Sequence, residues 1–264
     1  MGRDPRPKGY CVSFSADSPL VDEIRPAANQ DERREDRSPD ILLLHYTGME
    51  STEEACARLC ETASGVSCHY VVFEDGRILQ LVPEERRAWH AGRSSWEDET
   101  EVNSRSIGIE IGNPGHEFGY VDFPDVQIEA VTALARDICA RRQIAPQRVL
   151  AHSDVAPRRK QDPGERFPWN KLFASGVGHW TVPTPVGRPG PSLGPGERGT
   201  PVEELQTMLS LYGYGVEIDG NYGAPMTAVV AAFQRHFRQR LVDGIADFST
   251  TDTLRRLLRT LPPA

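Results

Sequence analysis

The stretch ILLLH, residues 41–45, is a continuous apolar run that ends on a histidine. Such a run is stable as a strand covered on both faces, which calls for a sheet with a layer on each side. SIGIEI, residues 106–111, alternates with a period of two, and RVLAH, residues 148–152, is another apolar strand ending on histidine. Helical patterns fall between these strands. Ser51 with Glu54 forms a capping box that opens a helix to about Thr62, and Ile128, Val131, Leu134 and Ile138 mark the buried stripe of a helix from about Val126 to Arg142. HYVVF and RILQLV flank Glu74-Asp75-Gly76, which reads as a β-hairpin. Strands interleaved with helices make this domain α/β.

A chain of 264 residues has room for one sizeable domain and a smaller one. Residues 1–40, rich in Asp, Glu, Arg and Pro, read as an irregular, partly mobile lead-in, and residues 41–176 as the α/β domain. Residues 177–196 are dense in Pro and Gly and carry almost no apolar periodicity, so they are either a linker or an extension wrapped on the fold. Residues 197–264 hold three helical patterns, in VEELQTMLSLY, APMTAVVAAFQRHF and TTDTLRRLLRTL, and form a small three-helix all-α domain. Its turns repeat an apolar-Asp-Gly pattern at Ile218-Asp219-Gly220 and Val242-Asp243-Gly244.

Lys and Arg number 30 against 38 Asp and Glu, a net charge of -8. That balance argues against a nucleic-acid partner and requires any acidic ligand to be held by local Arg clusters. The first thirty residues contain no apolar run of signal-peptide length, and nothing elsewhere approaches a membrane span, so no membrane insertion is expected. The cysteines, at 11, 56, 60, 68 and 139, are odd in number and lack zinc-ribbon spacing. Cys56 and Cys60 read as small buried hydrophobes on one helix face. Both features favour a reducing, cytoplasmic setting.

With Ile107, Ile109 and Ile111 facing the core, Ser106, Gly108 and Glu110 face the other way. Glu110 is then either an Arg-paired strand residue or, in a cleft, a general base. His45 and His152 each end an apolar strand. A lone strand-end histidine is usually structural, but adjacent strands bring their ends together, and Asp162 on the loop after His152 completes a set of three. Two imidazoles and a carboxylate suit zinc, with a fourth position left for chemistry. Lys160 belongs to the run Arg158-Arg159-Lys160, whose ordinary reading is a solvated face. His236, among Phe233 and Phe237, reads as structural and His116 as a loop residue. The segment RRAWHAGRSSW, with Trp89, His90 and Trp96, either lines a ligand cleft or packs over the sheet.

Taken together, LLLHYTGM, SCHYVVFEDGRILQLVPEERRAWHAGRSSW, SIGIEIGN and LAHSDVAPRRKQDPGERFPW resemble, in order over roughly residues 41–172, the zinc-dependent N-acetylmuramoyl-L-alanine amidases of the AmpD and AmiD type. The resemblance implies a mixed central β-sheet flanked by helices and one catalytic zinc ion held by His45, His152 and Asp162. It also implies Glu110 as the catalytic acid–base and Lys160 as the group that stabilises the oxyanion. It places Trp89, His90, Arg87 and Asn113 near the substrate, a muropeptide or peptidoglycan. About residues 197–260 resemble a peptidoglycan-binding helical module, which raises the cell envelope as an alternative location. The competing functional readings are a peptidoglycan-recognising protein without activity and a zinc peptidase acting on the stem peptide.

Overall fold

The computed structural model describes residues 14–261, so Cys11 and the start of the expected lead-in lie outside the described residues. The strands are β1 (Glu23–Ile24), β2 (Gln30–Glu32), β3 (Ile41–Tyr46), β4 (Tyr70–Val72), β5 (Ile78–Gln80), β6 (Arg86–Ala88), β7 (Ser106–Ile111) and β8 (Val149–Ala151). The helices are α1 (Thr52–Cys60), α2 (Val102–Arg105), α3 (Asp125–Arg142), α4 (His152–Val155), α5 (Trp169–Ala174), α6 (Thr200–Tyr212), α7 (Ala224–Phe237) and α8 (Phe248–Leu258). Six strands form one mixed sheet in the order β1-β5-β4-β7-β3-β8. β3 lies parallel to both β7 and β8, whereas β4 and β5 form the expected antiparallel hairpin.

The apolar run of β3 is covered on both faces. Leu42 and Leu44 pack with Ile107, Ile109 and the α3 stripe Ile128, Val131, Leu134 and Ile138. Ile41 and Leu43 belong to a second core on the opposite side. Ser51 caps α1 by accepting from the Glu54 amide, and Cys56 and Leu59 are buried on its inner face.

Residues 14–40 are not an irregular lead-in. β1 extends the sheet beside β5, and β2 pairs antiparallel with β6. Arg33, only 6% exposed, donates to the carbonyls of Glu84, Ser104 and Ser106. The guanidinium has five donors, so backbone carbonyls can satisfy it in the interior without a carboxylate. A charge-rich composition therefore hides an ordered segment.

Residues 177–196 wrap along the helical domain. Thr184 bonds to Thr253 and Asp252 of α8, and Leu193 pairs with Ala246. Within that domain the repeated Asp-Gly turns are held alike: Gln206 Oε1 accepts from the amides of Asp219 and Gly220, and Gln234 Oε1 from those of Asp243 and Gly244. Gly220 and Gly244 have φ of 65° and 70°, a region that favours glycine.

The helical domain is fused to the α/β domain by a common core. Ile41, Leu43, Trp96 and Val155 share one apolar cluster with Leu209, Tyr214, Phe233 and Phe237. Trp169 stacks on His236 with ring centroids 3.7 Å apart. Asp154, fully buried, accepts from the Ala151 amide at 2.8 Å, from Tyr214 Oη at 2.7 Å and from His236 Nδ1 at 2.7 Å. Among the described residues, no helix is long and apolar enough to cross a membrane.

Candidate active site

Register places the chemistry at the C-terminal edge of the parallel strands, where ligands of such sheets generally bind. His45 of β3 pairs directly with Glu110 of β7, so both side chains rise from the same face. Leu44 pairs with Ala151 at the end of β8, which puts His152 next to His45 on the other side. The loop after His152 folds back on itself. Ser153 donates its amide to the Asp162 carbonyl, and the amides of Arg159 and Lys160 both donate to the Ala156 carbonyl. Asp162 is thereby returned to the strand ends.

His45 Nδ1, His152 Nδ1 and Asp162 Oδ2 form a small triangle with edges of 2.9, 3.1 and 2.9 Å. Atoms bound about 2 Å from a tetrahedral metal stand about 3.3 Å apart, so the triangle is the right size for a metal ion. The proton positions fit as well. His152 Nε2 faces the Ala91 carbonyl at 3.0 Å, and a carbonyl only accepts, so Nε2 carries a proton and, in the neutral ring that a metal requires, the Nδ1 lone pair faces the triangle. The His45 proton is fixed by a relay. Ser106 Oγ donates to the Val102 carbonyl at 2.6 Å and accepts from His90 Nε2 at 3.2 Å. His90 Nδ1 therefore accepts from His45 Nε2 at 3.0 Å, leaving His45 Nδ1 free for a metal. Burial, then the neighbouring His152, pushes the His45 pKa down to about 4, so the ring is neutral.

Glu110 stands beside this triangle. The residue is half-buried, and its enclosed Oε2 has no hydrogen-bond partner among the described residues. Burial first, then the nearby Asp162 charge, raises its pKa well above the usual carboxylate range, while Lys160 acts in the opposite direction. The cleft over these groups has a volume of about 520 Å³, and Trp89, His116, Arg159 and Lys160 are among its walls. An unpaired carboxyl, three unprotonated donors and an ammonium around one hollow can bind a metal, move a proton and hold an anion.

The chain resembles known proteins along most of its length. Residues 35–165 match the N-acetylmuramoyl-L-alanine amidase family, and residues 198–254 match a peptidoglycan binding domain family. N-acetylmuramoyl-L-alanine amidase AmiD of Escherichia coli K12 is 39% identical over 232 residues, covering 83% of this chain and 82% of that protein. The chain belongs to the N-acetylmuramoyl-L-alanine amidase family. The fold agrees: the structure of E. coli AmiD with anhydro-N-acetylmuramic acid-L-Ala-D-gamma-Glu-L-Lys superposes with a TM-score of 0.72 at 36% identity, covering 88% of this chain and 93% of that one. AmpDh3 from Pseudomonas aeruginosa gives 0.70 at 29% identity, covering 87% and 95%.

Of the residues expected near substrate in this amidase, Trp89 and His90 line the cleft, and Arg87 and Asn113 do not. Arg87 is paired with Glu101 and with Asp31, its cross-strand partner in the β2–β6 ribbon. Asn113 is 2% exposed, and its side chain bonds the Gly115 amide and the Val121 carbonyl, shaping the loop after β7. His90, besides lining the cleft, has both ring nitrogens engaged, by His45 and Ser106. Gly108 makes room for it: a Cβ there would lie 2.6 Å from His90 Nδ1. A glycine inside a strand is the one trace of this arrangement in the sequence. His90→Ala is expected to weaken metal affinity by about 10- to 100-fold, read by competition with a chelator, and unchanged affinity would exclude the relay.

Proposed function

We propose that this amidase hydrolyses the amide between the lactyl group of N-acetylmuramic acid, plain or 1,6-anhydro, and the L-alanine of a muropeptide, with one zinc ion held by His45, His152 and Asp162. The observation that carries this reading is the triangle of His45, His152 and Asp162 donors beside the half-buried Glu110, whose enclosed Oε2 has no partner. Zinc bound there supplies Lewis acidity toward the scissile carbonyl and lowers the pKa of water from about 15.7 toward about 7.

The chain's own groups carry the protons and the charge. Glu110 takes the proton of the attacking water and delivers it to the L-alanine nitrogen, so the C–N bond breaks to a neutral amine instead of an amide anion. Lys160, in the cleft wall, places its ammonium toward the oxyanion that develops on the carbonyl oxygen. The enclosing walls lower the local dielectric and strengthen both effects.

Lys160 also favours the ionised form of Glu110. Removing that positive charge raises the Glu110 pKa, so the acid limb of the rate profile moves to higher pH. Lys160→Met is expected to show that shift together with a loss in kcat of about a hundredfold. A full profile of kcat against pH checks both. A muropeptide-recognising protein without activity has no need for the donor triangle and the isolated carboxyl together. Digestion of an anhydro-muropeptide followed by mass spectrometry tests the reading: an intact sugar lactate and a peptide with a free L-alanine amine are expected, and cleavage within the stem peptide would contradict it.

A further inference from the structure

A second hollow, of about 790 Å³, lies on the far side of the segment Arg159-Lys160-Gln161, which it shares with the catalytic cleft. Its other wall is the helical domain: the turn around Arg198 and the face of α7 bearing Ala224, Ala228, Ala231 and Arg235. Arg158, Arg159, Lys160, Arg198 and Arg235 line it, and no Asp or Glu does. The chain as a whole carries 38 acidic against 30 basic side chains, so this is a local inversion of charge.

These cations are largely uncommitted. Among the described residues, Arg158 and Arg198 pair with no carboxylate, and Arg159 is held by the carbonyls of Ala91 and Arg93. Arg235 donates to Gln161 Oε1 at 3.3 Å, lies 3.9 Å from Glu165, and its buried Nε has no hydrogen-bond partner. The floor is made of small side chains that let an extended chain approach closely. Tyr222, the one aromatic residue in the lining, is fully buried with its hydroxyl bound to the Gly244 carbonyl, so no ring is offered for a sugar to stack on. Unpaired guanidinium groups without an aromatic platform select carboxylates over neutral sugars.

The geometry points to a second binding site in this groove for the carboxylate-bearing stem peptide of polymeric peptidoglycan, adjacent to the peptide being released in the cleft. This rests on the amidase reading above. The cleft, at about 520 Å³, already has the size for one muropeptide, so the groove serves a neighbouring peptide on the polymer. Its task is to hold the enzyme on the polymer while the cleft works.

The test uses the full chain and the double variants Arg158→Glu/Arg198→Glu and Arg158→Gln/Arg198→Gln, with thermal unfolding as the check that they fold. Cosedimentation with purified sacculi is expected to weaken by about tenfold or more in the charge-reversed variant, less in the glutamine variant, and to decline with salt. Sacculi whose carboxyls have been amidated are expected to bind wild type about as weakly as native sacculi bind the glutamine variant, since both changes remove the attraction without adding repulsion. Equal binding by wild type and both variants, or equal binding of native and amidated sacculi, would overturn the site. Turnover of soluble monomeric muropeptide, assayed on the same preparations, identifies the peptide involved. An unchanged KM supports the neighbouring peptide, whereas a KM that rises in step with the loss of sacculus binding contradicts it. Failure of wild type to cleave any muropeptide would refute the amidase reading, while the sacculus measurement would still report on the groove.

Discussion

Glu110→Gln is expected to retain its metal and to lose at least about a hundredfold in kcat. Glutamine keeps the shape and size of the side chain, so the strand pairing of His45 with Glu110 and the donor triangle beside it are undisturbed. What disappears is the ability to take a proton from water and return it to the leaving nitrogen. Amide hydrolysis suffers twice from that loss, because both attack and departure need a proton moved. Metal content measured by elemental analysis, with kcat on the same sample, separates this outcome from a collapsed site. Full activity in the variant would remove Glu110 from the mechanism, and loss of metal would make it part of the binding set.

The second large effect concerns stability. Asp154→Ala strips a common acceptor from the Ala151 amide, the Tyr214 hydroxyl and the His236 ring, all of them buried at the junction of the two domains. Removing one partner from such a buried polar group typically costs about 3–5 kcal/mol, because the remaining donors lose water without gaining a partner. The methyl group left behind cannot refill the space between α4 and α7. Urea unfolding of the full chain is expected to show a single transition displaced by that amount. A loss below about 1 kcal/mol would mean that the apolar contacts alone hold the domains together. The position has a functional side as well, since Asp154 lies two residues after His152 in the short helix α4.

Local patterns made much of this fold readable. The apolar run ILLLH, the alternation of SIGIEI and the helical stripe of α3 each follow from periodicity within one element, and each is found where that periodicity puts it. Alternation also puts Glu110 opposite the three isoleucines of its strand, and the strand-end positions of His45 and His152 allow the two to meet. Features that depend on distant partners were hidden. Arg33 is satisfied by carbonyls 51 to 73 residues away, so nothing around it in sequence distinguishes it from a solvated arginine. That His90 reaches His45 depends on the gap left by Gly108, which lies 18 residues away in the chain. Residues 177–196 have no periodicity of their own because their order comes from α8 and from the turn at Ala246. The tight fusion of the domains, through Trp169 on His236 and Asp154 between them, was likewise invisible in a sequence that reads as two units joined by a Pro- and Gly-rich stretch.

The central claim is that His45, His152 and Asp162 hold one zinc ion that Glu110 and Lys160 use to cut the bond between muramic acid and L-alanine. Its most direct test is a single titration: the metal-stripped enzyme receives increasing zinc while release of L-alanyl peptide from anhydro-muropeptide is followed by mass spectrometry. No release is expected without metal, and a linear rise is expected that saturates at one zinc per chain. Undiminished release from the stripped enzyme, or saturation with no L-alanyl peptide formed, would contradict the claim.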